Sequence, residues 1–392
     1  MKETFVTIIL LFASLYISVA QNHPYTVKFS HQIEADVAEG KITPTRAGLL
    51  YSLIGSYHTS NEYSDIPVSW GVDTINIENH NTSDALIKIT KAAKDRQIVI
   101  ISENHLKPQH RLFADKIITE LAKKGFNHLG LETFSSLSNS TILLDSTISS
   151  RGYPLDSPLT GTYTLEPQMG KLVRHAIELN INLFAYERSQ KIKDKDRDEI
   201  QADNIIKYLN KNPKSKLIII CGFYHAIESD IQKRGNAYWM AKYLKDKTGI
   251  DPLTIYQDNF TEKFIEQQHP ILSKVNIEDP SVLVDDQGEL IQLTHNVDIE
   301  IIHPTTYYIY GRPHWLFKNT NNKAVKINLA FDNLDFPIII SAYPINEIKS
   351  VPVDRVEIKH MQDDKSLALS PGLYRITVFD GLTTHEYTET VK

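Results

Sequence analysis

The chain is organised around the stretch Ile98-Val99-Ile100-Ile101-Ser102-Glu103-Asn104-His105-Leu106-Lys107-Pro108-Gln109-His110-Arg111. It begins with four apolar β-branched residues, which predict a short buried strand. Pro108 follows a polar turn, and proline is typical of the first turn of a helix. A strand, a polar turn and a helix in this order are typical of an α/β sheet, in which ligands bind at the carboxyl ends of the strands. Glu103 and His105 stand at such an end and are therefore candidates for chemistry.

Helices and strands alternate along the middle of the chain. Helices are predicted at 83–95, 108–124, 170–179, 197–211 and 235–247, and strands at 97–102, 128–132, 181–186, 215–221 and 252–257. This alternation predicts a parallel sheet with right-handed crossovers. It is interrupted at 135–168, a segment rich in Ser, Thr, Gly and Pro. We interpret that segment as a lid or binding loop over the site.

The N-terminus predicts export. Lys2 is followed by an apolar run from Phe5 to Ile17, and the small residues Ser18-Val19-Ala20 stand where a signal peptidase cleaves. We expect residues 1–20 to be a signal peptide that is cleaved after Ala20, and the mature protein to be periplasmic or secreted. No later run in the sequence is long and apolar enough to predict a transmembrane segment.

Four segments follow the predicted signal peptide. The pattern predicts a helical lead-in and wrapping loop at 21–82, an α/β domain at 83–264, a β-rich connector at 265–319 and a β-sandwich domain at 320–392. The last two assignments depend on short alternating runs separated by Pro, Gly, Asn and Asp, which are typical of antiparallel strands. The expected fold class is α/β, a parallel sheet flanked by helices, with a C-terminal antiparallel β-sandwich domain.

The net charge and the cysteine count bear on nucleic-acid binding and on disulfide formation. A formal net charge of -6 at pH 7 does not favour a nucleic-acid partner. Cys221 is the one cysteine of the sequence, so the chain forms no intramolecular disulfide. Because Cys221 follows an apolar run, we expect a buried, unreactive thiol.

Polar side chains stand at or just after four of the predicted strands. In a parallel sheet these strand ends share one edge, so residues far apart in sequence converge there. The residues are Glu103 and His105, Glu132, Glu187 and Arg188, and Gly222-Phe223-Tyr224-His225. Two histidines and several carboxylates predict a metal site or an acid/base set. Taken singly, each Glu is also explained by a helix cap or an ion pair, and His225 by a satisfied half-buried side chain.

Arg111 lies in the first turn of the predicted helix, where a cation opposes the helix dipole, so capping does not explain it. It would bind an anionic or carbonyl oxygen, or else form a surface salt bridge. Tyr307, Tyr308 and Tyr310, with Trp315, predict sheet core, with a binding face as the alternative.

At these residues the sequence resembles the haem-binding uptake, Tiki and erythromycin esterase-like superfamily, nearest to its ChaN-like domains. In that family one strand ends in Gly-Glu-x-His, followed by Pro and His-Arg, and the next ends in Glu before an aromatic residue. A later Arg-Asp helix and a Gly-x-x-His complete the pattern. The matching residues are Ser102-Glu103-Asn104-His105, Pro108, His110-Arg111, Leu131-Glu132-Thr133-Phe134, Arg197-Asp198-Glu199-Ile200-Gln201-Ala202-Asp203-Asn204 and Gly222-Phe223-Tyr224-His225. Ser102 and Gln201 depart from the Gly and Met of the family.

The resemblance implies three different activities. Esterase-like members use the Glu, the first His, the Arg and the second Glu to activate water against a lactone. Tiki-like members are metal-dependent proteases, and ChaN-like members bind haem. The matching residues of this chain fit all three.

The leading expectation is an exported hydrolase of an ester or amide bond, of esterase or metallopeptidase type, acting on a small-molecule or peptide substrate. Glu103 would be the general base, and Arg111 would stabilise the oxyanion. His105 and His225 would bind a divalent metal, Zn or Mn, or polarise the carbonyl, with Glu132 as third ligand or as an orienting group.

Two alternatives remain open. The first is a haem-binding or haem-uptake protein that uses the same cleft, with a Tyr or His as axial ligand. The second is a scaffold that contacts a glycan or a protein through its C-terminal β domain.

Overall fold

The computed structural model describes residues 27–64, 80–189, 191–193, 195–233, 237–263, 269–294, 296–331 and 334–392. The predicted signal peptide at 1–20 lies outside the described residues, as do residues 65–79 of the predicted wrapping loop. No helix within the described ranges has both the length and the apolar character needed to span a bilayer.

Helices account for much of the first two thirds of the described chain. They are α1 Ser30–Ala38, α2 Pro44–Leu53, α3 Tyr57–Glu62, α4 Ala85–Ala92, α5 Pro108–Ala122, α6 Ile148–Arg151, α7 Pro167–Glu178, α8 Arg197–Lys211, α9 Met240–Thr248 and α10 Pro270–Lys274. Pro108 and Pro167 stand at the starts of α5 and α7, where a missing N–H costs no helical hydrogen bond. Asp84 begins α4 by accepting the Ile87 N–H at 2.9 Å.

The main sheet has eight strands among the described residues. They are β1 Asn81–Asp84, β2 Ile98–Glu103, β3 His128–Leu131, β4 Asn182–Ala185, β5 Leu217–Gly222, β6 Leu253–Phe260, β7 Ser281–Val284 and β8 Ile299–Ile302, in the order β1-β7-β8-β6-β2-β5-β3-β4. The strands from β8 to β4 in this order are parallel, and β7 and β1 are antiparallel at one edge. The predicted parallel sheet flanked by helices is confirmed. β7 and β8 come from the segment predicted as a connector.

Both faces of the sheet are buried by helices. Side chains alternate along β2, so Val99 and Ile101 join the core under α5 and α7, whereas Ile98 and Ile100 join the core under α8 and α9. A strand covered on both faces needs apolar residues at every position. This explains the continuous β-branched run by which the strand is recognised in the sequence.

The C-terminal part of the chain is antiparallel, as predicted. β12 Ile338–Pro344, β13 Asp354–Ile358, β15 Gly372–Phe379 and β16 Thr384–Val391 form a four-stranded sheet in the order β13-β12-β15-β16. β11 Lys323–Val325 pairs with β14 Leu367–Leu369, and the two sheets share one apolar core. The N-terminal helices pack on this region through Leu53 and Ile54, which lie beside Ile339 and Val351.

The prediction that the three clustered tyrosines form sheet core is wrong. Tyr307, Tyr308 and Tyr310 are 55%, 46% and 61% exposed. They lie on and beside a short hairpin, β9 Tyr308–Ile309 and β10 Arg312–Pro313, whose turn residues Tyr310 and Gly311 both have positive φ. The hairpin forms a separate two-stranded sheet, in which β10 is buried and the tyrosines are exposed. Trp315, in contrast, is buried as predicted.

Candidate active site

Three neighbouring strands of the main sheet bring the predicted residues to one edge. β2 ends at Glu103, β3 ends one residue before Glu132, and β5 ends at Gly222, three residues before His225. β5 lies between β2 and β3, and Gly222 is directly opposite Glu103 in the register. The convergence expected from the order of the strand ends is therefore present in the fold.

Glu103 and His105 form a close pair. Glu103 Oε1 lies 2.5 Å from His105 Nδ1, and the Glu103 residue is only 2% exposed. Burial raises the pKa of Glu103, but the Arg111 guanidinium and His105 outweigh burial and leave this pKa below its ordinary value. The carboxylate therefore stays ionised and accepts a hydrogen bond from Nδ1–H. In the neutral imidazole, Nε2 of His105 is then the nitrogen that carries the lone pair.

Arg111 is buried behind this pair rather than in the cleft. Its exposed fraction is 0%. Nε donates to Glu103 Oε2 at 3.2 Å, Nη1 donates to Glu166 Oε2 at 2.9 Å, and Nη2 donates to the His105 carbonyl oxygen at 2.8 Å. The expected oxyanion role of Arg111 does not fit this position, because a guanidinium that is 0% exposed does not reach a substrate in the cleft.

The long segment between β3 and α7 contributes two residues that sequence reasoning missed. Tyr163 stacks on the His105 ring, with centroids 4.0 Å apart and an interplanar angle of 19°. Glu166 accepts from Arg111 and caps α7 by accepting the Met169 N–H at 2.9 Å. The segment is anchored next to Glu132, because the Tyr163 N–H donates to Thr133 Oγ1 at 2.7 Å. It reaches the site, as expected of a binding loop.

Glu132 lies between the two histidines. Its Oε2 accepts the Gly222 N–H at 2.5 Å, and its Oε1 accepts from Arg197 Nη2. Burial raises the pKa of Glu132, but His225, His105, Arg197 and the Gly222 N–H outweigh it and lower this pKa to about 2. Glu132 is consequently a fixed anion at the centre of the site.

Gly222 leaves the space that His105 occupies. A Cβ atom at this position would lie 2.3 Å from His105 Nε2 and 3.1 Å from Glu132 Oε2. Separations this short exclude any side chain unless the imidazole moves. The site therefore requires glycine at the end of β5 for steric reasons.

His225 forms a second histidine–carboxylate pair, with Asp198 as the partner. Nδ1 of His225 lies 2.5 Å from Asp198 Oδ1, and Asp198 Oδ2 accepts from Lys233 Nζ. Burial lowers the pKa of His225, but the Glu132 and Asp198 carboxylates outweigh it and raise this pKa above its ordinary value. The Arg-Asp motif at the start of α8 was the sequence signal for Asp198. The motif belongs to the family resemblance, but the sequence alone does not place Asp198 in the site.

Arg197, also missed as a site residue, joins the two halves of the cluster. Its guanidinium donates to Glu187 and Glu132, and its Nη1 lies 3.1 Å from His225 Nε2. Burial lowers the pKa of Arg197, but the two carboxylates outweigh it and raise this pKa further. An arginine nitrogen can only donate, so in this arrangement His225 Nε2 accepts and the ring is neutral. Although the pKa of His225 is raised, its Nε2 can bind a proton only if the Arg197 guanidinium moves away.

The predicted metal ligands His105, Glu132 and His225 do not fit a metal in this arrangement. Glu132 Oε1 and His225 Nε2 both face the Arg197 guanidinium, which occupies the cation position between them. Among the described residues, no group of three or more His, Cys, Asp or Glu side chains is spaced to hold a metal ion.

The cavity at the strand ends is small. It has a volume of about 10 Å³, room for about one water molecule, and is lined by Glu103, His105, Leu131, Glu132, Thr133, Tyr163, Met169, Ile220 and Cys221. Pockets for drug-sized ligands measure roughly 300–1,000 Å³, so this volume suits one small reacting group better than a haem. Cys221 is buried, and burial raises its pKa well above the ordinary value, as expected of an unreactive thiol.

His110 lies outside the cleft. Its Nδ1 accepts the Asn104 N–H at 3.1 Å, and its ring stacks on that of His303 with centroids 4.8 Å apart. Burial lowers the pKa of both histidines, that of His303 to about 3. They are neutral core residues that fix the turn after β2.

No protein-family model and no curated protein matches the chain. The chain is similar to the solved structure of the type III effector HopBA1, at 11% identity and a TM-score of 0.36 over 60% of this chain and 99% of HopBA1. It is similar to a bacterial protein toxin at 17% identity and a TM-score of 0.31, over 40% of this chain and 35% of that one. It is also similar to RRSP, a MARTX toxin effector domain from Vibrio vulnificus CMCP6, at 14% identity and a TM-score of 0.32, over 58% of this chain and 48% of that one.

Proposed function

We propose that this protein is a hydrolase of an ester or amide bond in which His105 is the general base. The observation that carries the proposal is the 2.5 Å contact between His105 Nδ1 and Glu103 Oε1. A buried carboxylate that holds Nδ1–H fixes the tautomer in which Nε2 takes a proton from water. His105 and Glu132 line the cavity, and Nε2 of His105 lies beside Gly222.

The roles of Glu103 and Arg111 follow from their burial. Both oxygens of Glu103 already accept, one from His105 and one from Arg111. A general base must reach the water it activates, so Glu103 orients His105 and stabilises the imidazolium instead of acting itself. Arg111 keeps Glu103 ionised.

Arg197, which binds the cavity-lining Glu132, is the cation to which we assign stabilisation of an oxyanion. Its side chain is 38% exposed, whereas that of Arg111 is 0% exposed. The guanidinium is held by Glu132 and Glu187 and touches His225, so it needs no rearrangement when negative charge develops on the substrate. His225 and Asp198 position Arg197.

The strand-end motifs that resemble esterase-like members of the erythromycin esterase, Tiki and haem-uptake superfamily support the same reaction class. In the proposed mechanism for a lactone or another ester, His105 supplies the base and Arg197 supplies the oxyanion-stabilising cation. The resemblance to metal-dependent and haem-binding members leaves those two activities as outcomes of the test.

The test is a screen of chromogenic esters, lactones and amides with the purified protein, its His105→Ala variant and a control variant, His175→Ala. His175 also pairs with a carboxylate, Asp115 at 2.8 Å, but on helices α5 and α7 away from the strand ends. We expect hydrolysis by the wild type and the control and its loss in His105→Ala. Equal rates in all three proteins would overturn the proposal.

Two further arms separate the alternatives. Activity that disappears on dialysis against a chelator and returns with Zn or Mn would replace the metal-free mechanism by a metal-dependent one. A stoichiometric Soret band on addition of haem, lost in a Tyr163→Phe or His105→Ala variant, would favour haem binding in the cleft.

A further inference from the structure

A buried chain of polar groups leads from the site toward the N-terminal helices. Arg111 Nη1 donates to Glu166 Oε2 at 2.9 Å, and the Tyr57 hydroxyl donates to Glu166 Oε1 at 3.2 Å. The exposed fractions of Arg111, Glu166 and Tyr57 are 0%, 0% and 1%. Arg111 lies in α5, Tyr57 lies in α3, and Glu166 directly precedes α7. Segments far apart in the sequence therefore meet behind the Glu103–His105 pair.

The C-terminal region holds the far end of this chain. The Tyr57 ring lies 5.2 Å from the Trp315 ring and 5.8 Å from the Arg312 guanidinium carbon. Arg312 donates to both oxygens of Asp354 at 3.0 and 2.9 Å. Asp354 lies in β13 and also accepts the Ala368 N–H at 2.7 Å. Tyr57 is thus fixed by residues of the C-terminal antiparallel region.

The charges explain why Arg111 needs its second partner. Arg111 is shared by two buried carboxylates, those of Glu103 and Glu166. In a buried site an unbalanced attraction is strong, because water does not screen it. With Glu166 neutral, Arg111 would be attracted by Glu103 alone and would compete with His105 for the Glu103 oxygens. The same competition follows, more weakly, if Tyr57 no longer holds Glu166.

We propose that Glu166 and Tyr57 are positioning residues for the Glu103–His105 pair. They hold Arg111 so that one oxygen of Glu103 remains for His105 Nδ1. The inference rests on the proposed function, in which His105 is the general base. It assigns the N-terminal helices and the C-terminal region a part in the reaction through one buried connection.

The kinetic test uses Glu166→Gln and Tyr57→Phe, which change charge or hydrogen bonding but hardly the volume. We expect kcat to fall about 10- to 100-fold in Glu166→Gln and about 3- to 10-fold in Tyr57→Phe, with KM within about twofold, because misplacement of a catalytic group costs rate more than binding. The control is Ser52→Ala, which removes a buried hydroxyl that bonds the Leu49 carbonyl at 2.7 Å within α2. We expect the control to keep kcat and KM.

A spectroscopic test does not depend on activity. Short histidine–carboxylate hydrogen bonds give far-downfield Nδ1 proton signals in NMR spectra of ¹⁵N-histidine-labelled protein, and His105→Gln identifies the signal of His105. We expect this signal to move or vanish in Glu166→Gln and Tyr57→Phe and to stay in Ser52→Ala, while the signal of His225 stays in all three.

The two tests separate the failure of each proposal. A wild type without hydrolysis, combined with a displaced His105 signal in the variants, would sink the hydrolase proposal and keep the positioning role. Variants that lose only thermal stability, with kcat and the His105 signal unchanged, would overturn the positioning role. If Glu166→Gln does not fold, Tyr57→Phe decides by the same two measurements.

Discussion

The two histidine–carboxylate pairs at the strand ends are alike at one ring nitrogen and different at the other. Nδ1 lies 2.5 Å from a buried carboxylate in both, Glu103 for His105 and Asp198 for His225. Each carboxylate in turn binds a cation, Arg111 or Lys233. Nε2 of His225 faces Arg197 at 3.1 Å, whereas Nε2 of His105 lies against Gly222, which has no side chain.

This difference assigns different work to two similar pairs. A histidine whose Nε2 already accepts from an arginine has no lone pair for water. A neutral histidine that is held at Nδ1 and lines the cavity, as His105 does, has one at Nε2. A carboxylate partner alone therefore does not identify a general base. The surroundings of the second ring nitrogen determine whether the histidine can accept a proton from water.

The largest effect expected from this asymmetry is that of His105→Gln. Loss of the general base should lower kcat/KM about 10²- to 10⁴-fold on the best substrate of the ester and amide screen. His225→Gln, which only loosens Arg197, should cost about 10-fold. Steady-state kinetics of the two variants measure both losses. Equal losses would show that His105 and His225 do not have different roles.

The next effect is expected for Arg197→Lys. Lysine keeps the charge but cannot hold Glu132, Glu187 and His225 with one ammonium group, so kcat should fall about 10²-fold with a smaller change in KM. The matched control is Arg151→Lys, because Arg151 pairs with Asp145 in the long segment before α7. A comparable loss of kcat in the control would show that the effect is not specific to the cation between the two pairs.

Stability at low pH tests Glu132, which lies between the pairs. Its pKa of about 2 in the folded protein is below the ordinary value of 4.5. The unfolded state therefore binds more protons at intermediate pH, and the stabilisation by ionised Glu132 is present above pH 4.5 and is lost as the pH falls toward 2. This stabilisation is at most on the order of 3 kcal/mol.

Urea unfolding of the wild type and of Glu132→Gln, from pH 7 down to the acid limit of the folded state, measures this effect. We expect the difference in unfolding free energy to be largest near neutral pH and to shrink toward low pH. A difference that stays constant would mean that Glu132 is not the strongly ionised centre of the site.

The smallest effect is expected from chelators. Because the Arg197 guanidinium fills the cation position between Glu132 and His225, treatment with a chelator should leave kcat and the thermal midpoint unchanged within error. Activity assays and calorimetry before and after metal removal check this, with elemental analysis to verify the removal. A lost and restorable activity would assign the pair His105 and His225 to a metal instead.

Much of the fold was predictable because burial on both faces leaves a plain pattern. The run Ile98–Ile101 and the run ending at Cys221 are apolar at every position, so both strands were predicted close to their observed bounds. The convergence of Glu103, Glu132 and His225 followed from the parallel topology alone. The antiparallel edge strand β1, Asn81–Asp84, carries polar residues and was not recognisable.

The site residues that the sequence does not reveal are brought to the site by tertiary packing. Tyr163 and Glu166 lie in a segment without hydrophobic period, and only folding brings them to His105 and Arg111. The exposure of Tyr307, Tyr308 and Tyr310 depends on a two-residue turn, Tyr310-Gly311. The composition of this tyrosine-rich segment does not predict that turn. The roles of Glu103 and Arg111 depend on burial behind His105, which spacing in the sequence does not specify.

Gly222 offers a way to separate recognition from turnover. One added methyl group at this position would meet His105 Nε2 at 2.3 Å, so Gly222→Ala should turn the imidazole away without replacing any other residue of the cavity lining. We expect such a variant to fold and to bind its natural substrate without hydrolysing it. Used as an affinity bait on extracts, it would enrich intact substrate molecules and so reveal the chemistry on which the wild type acts.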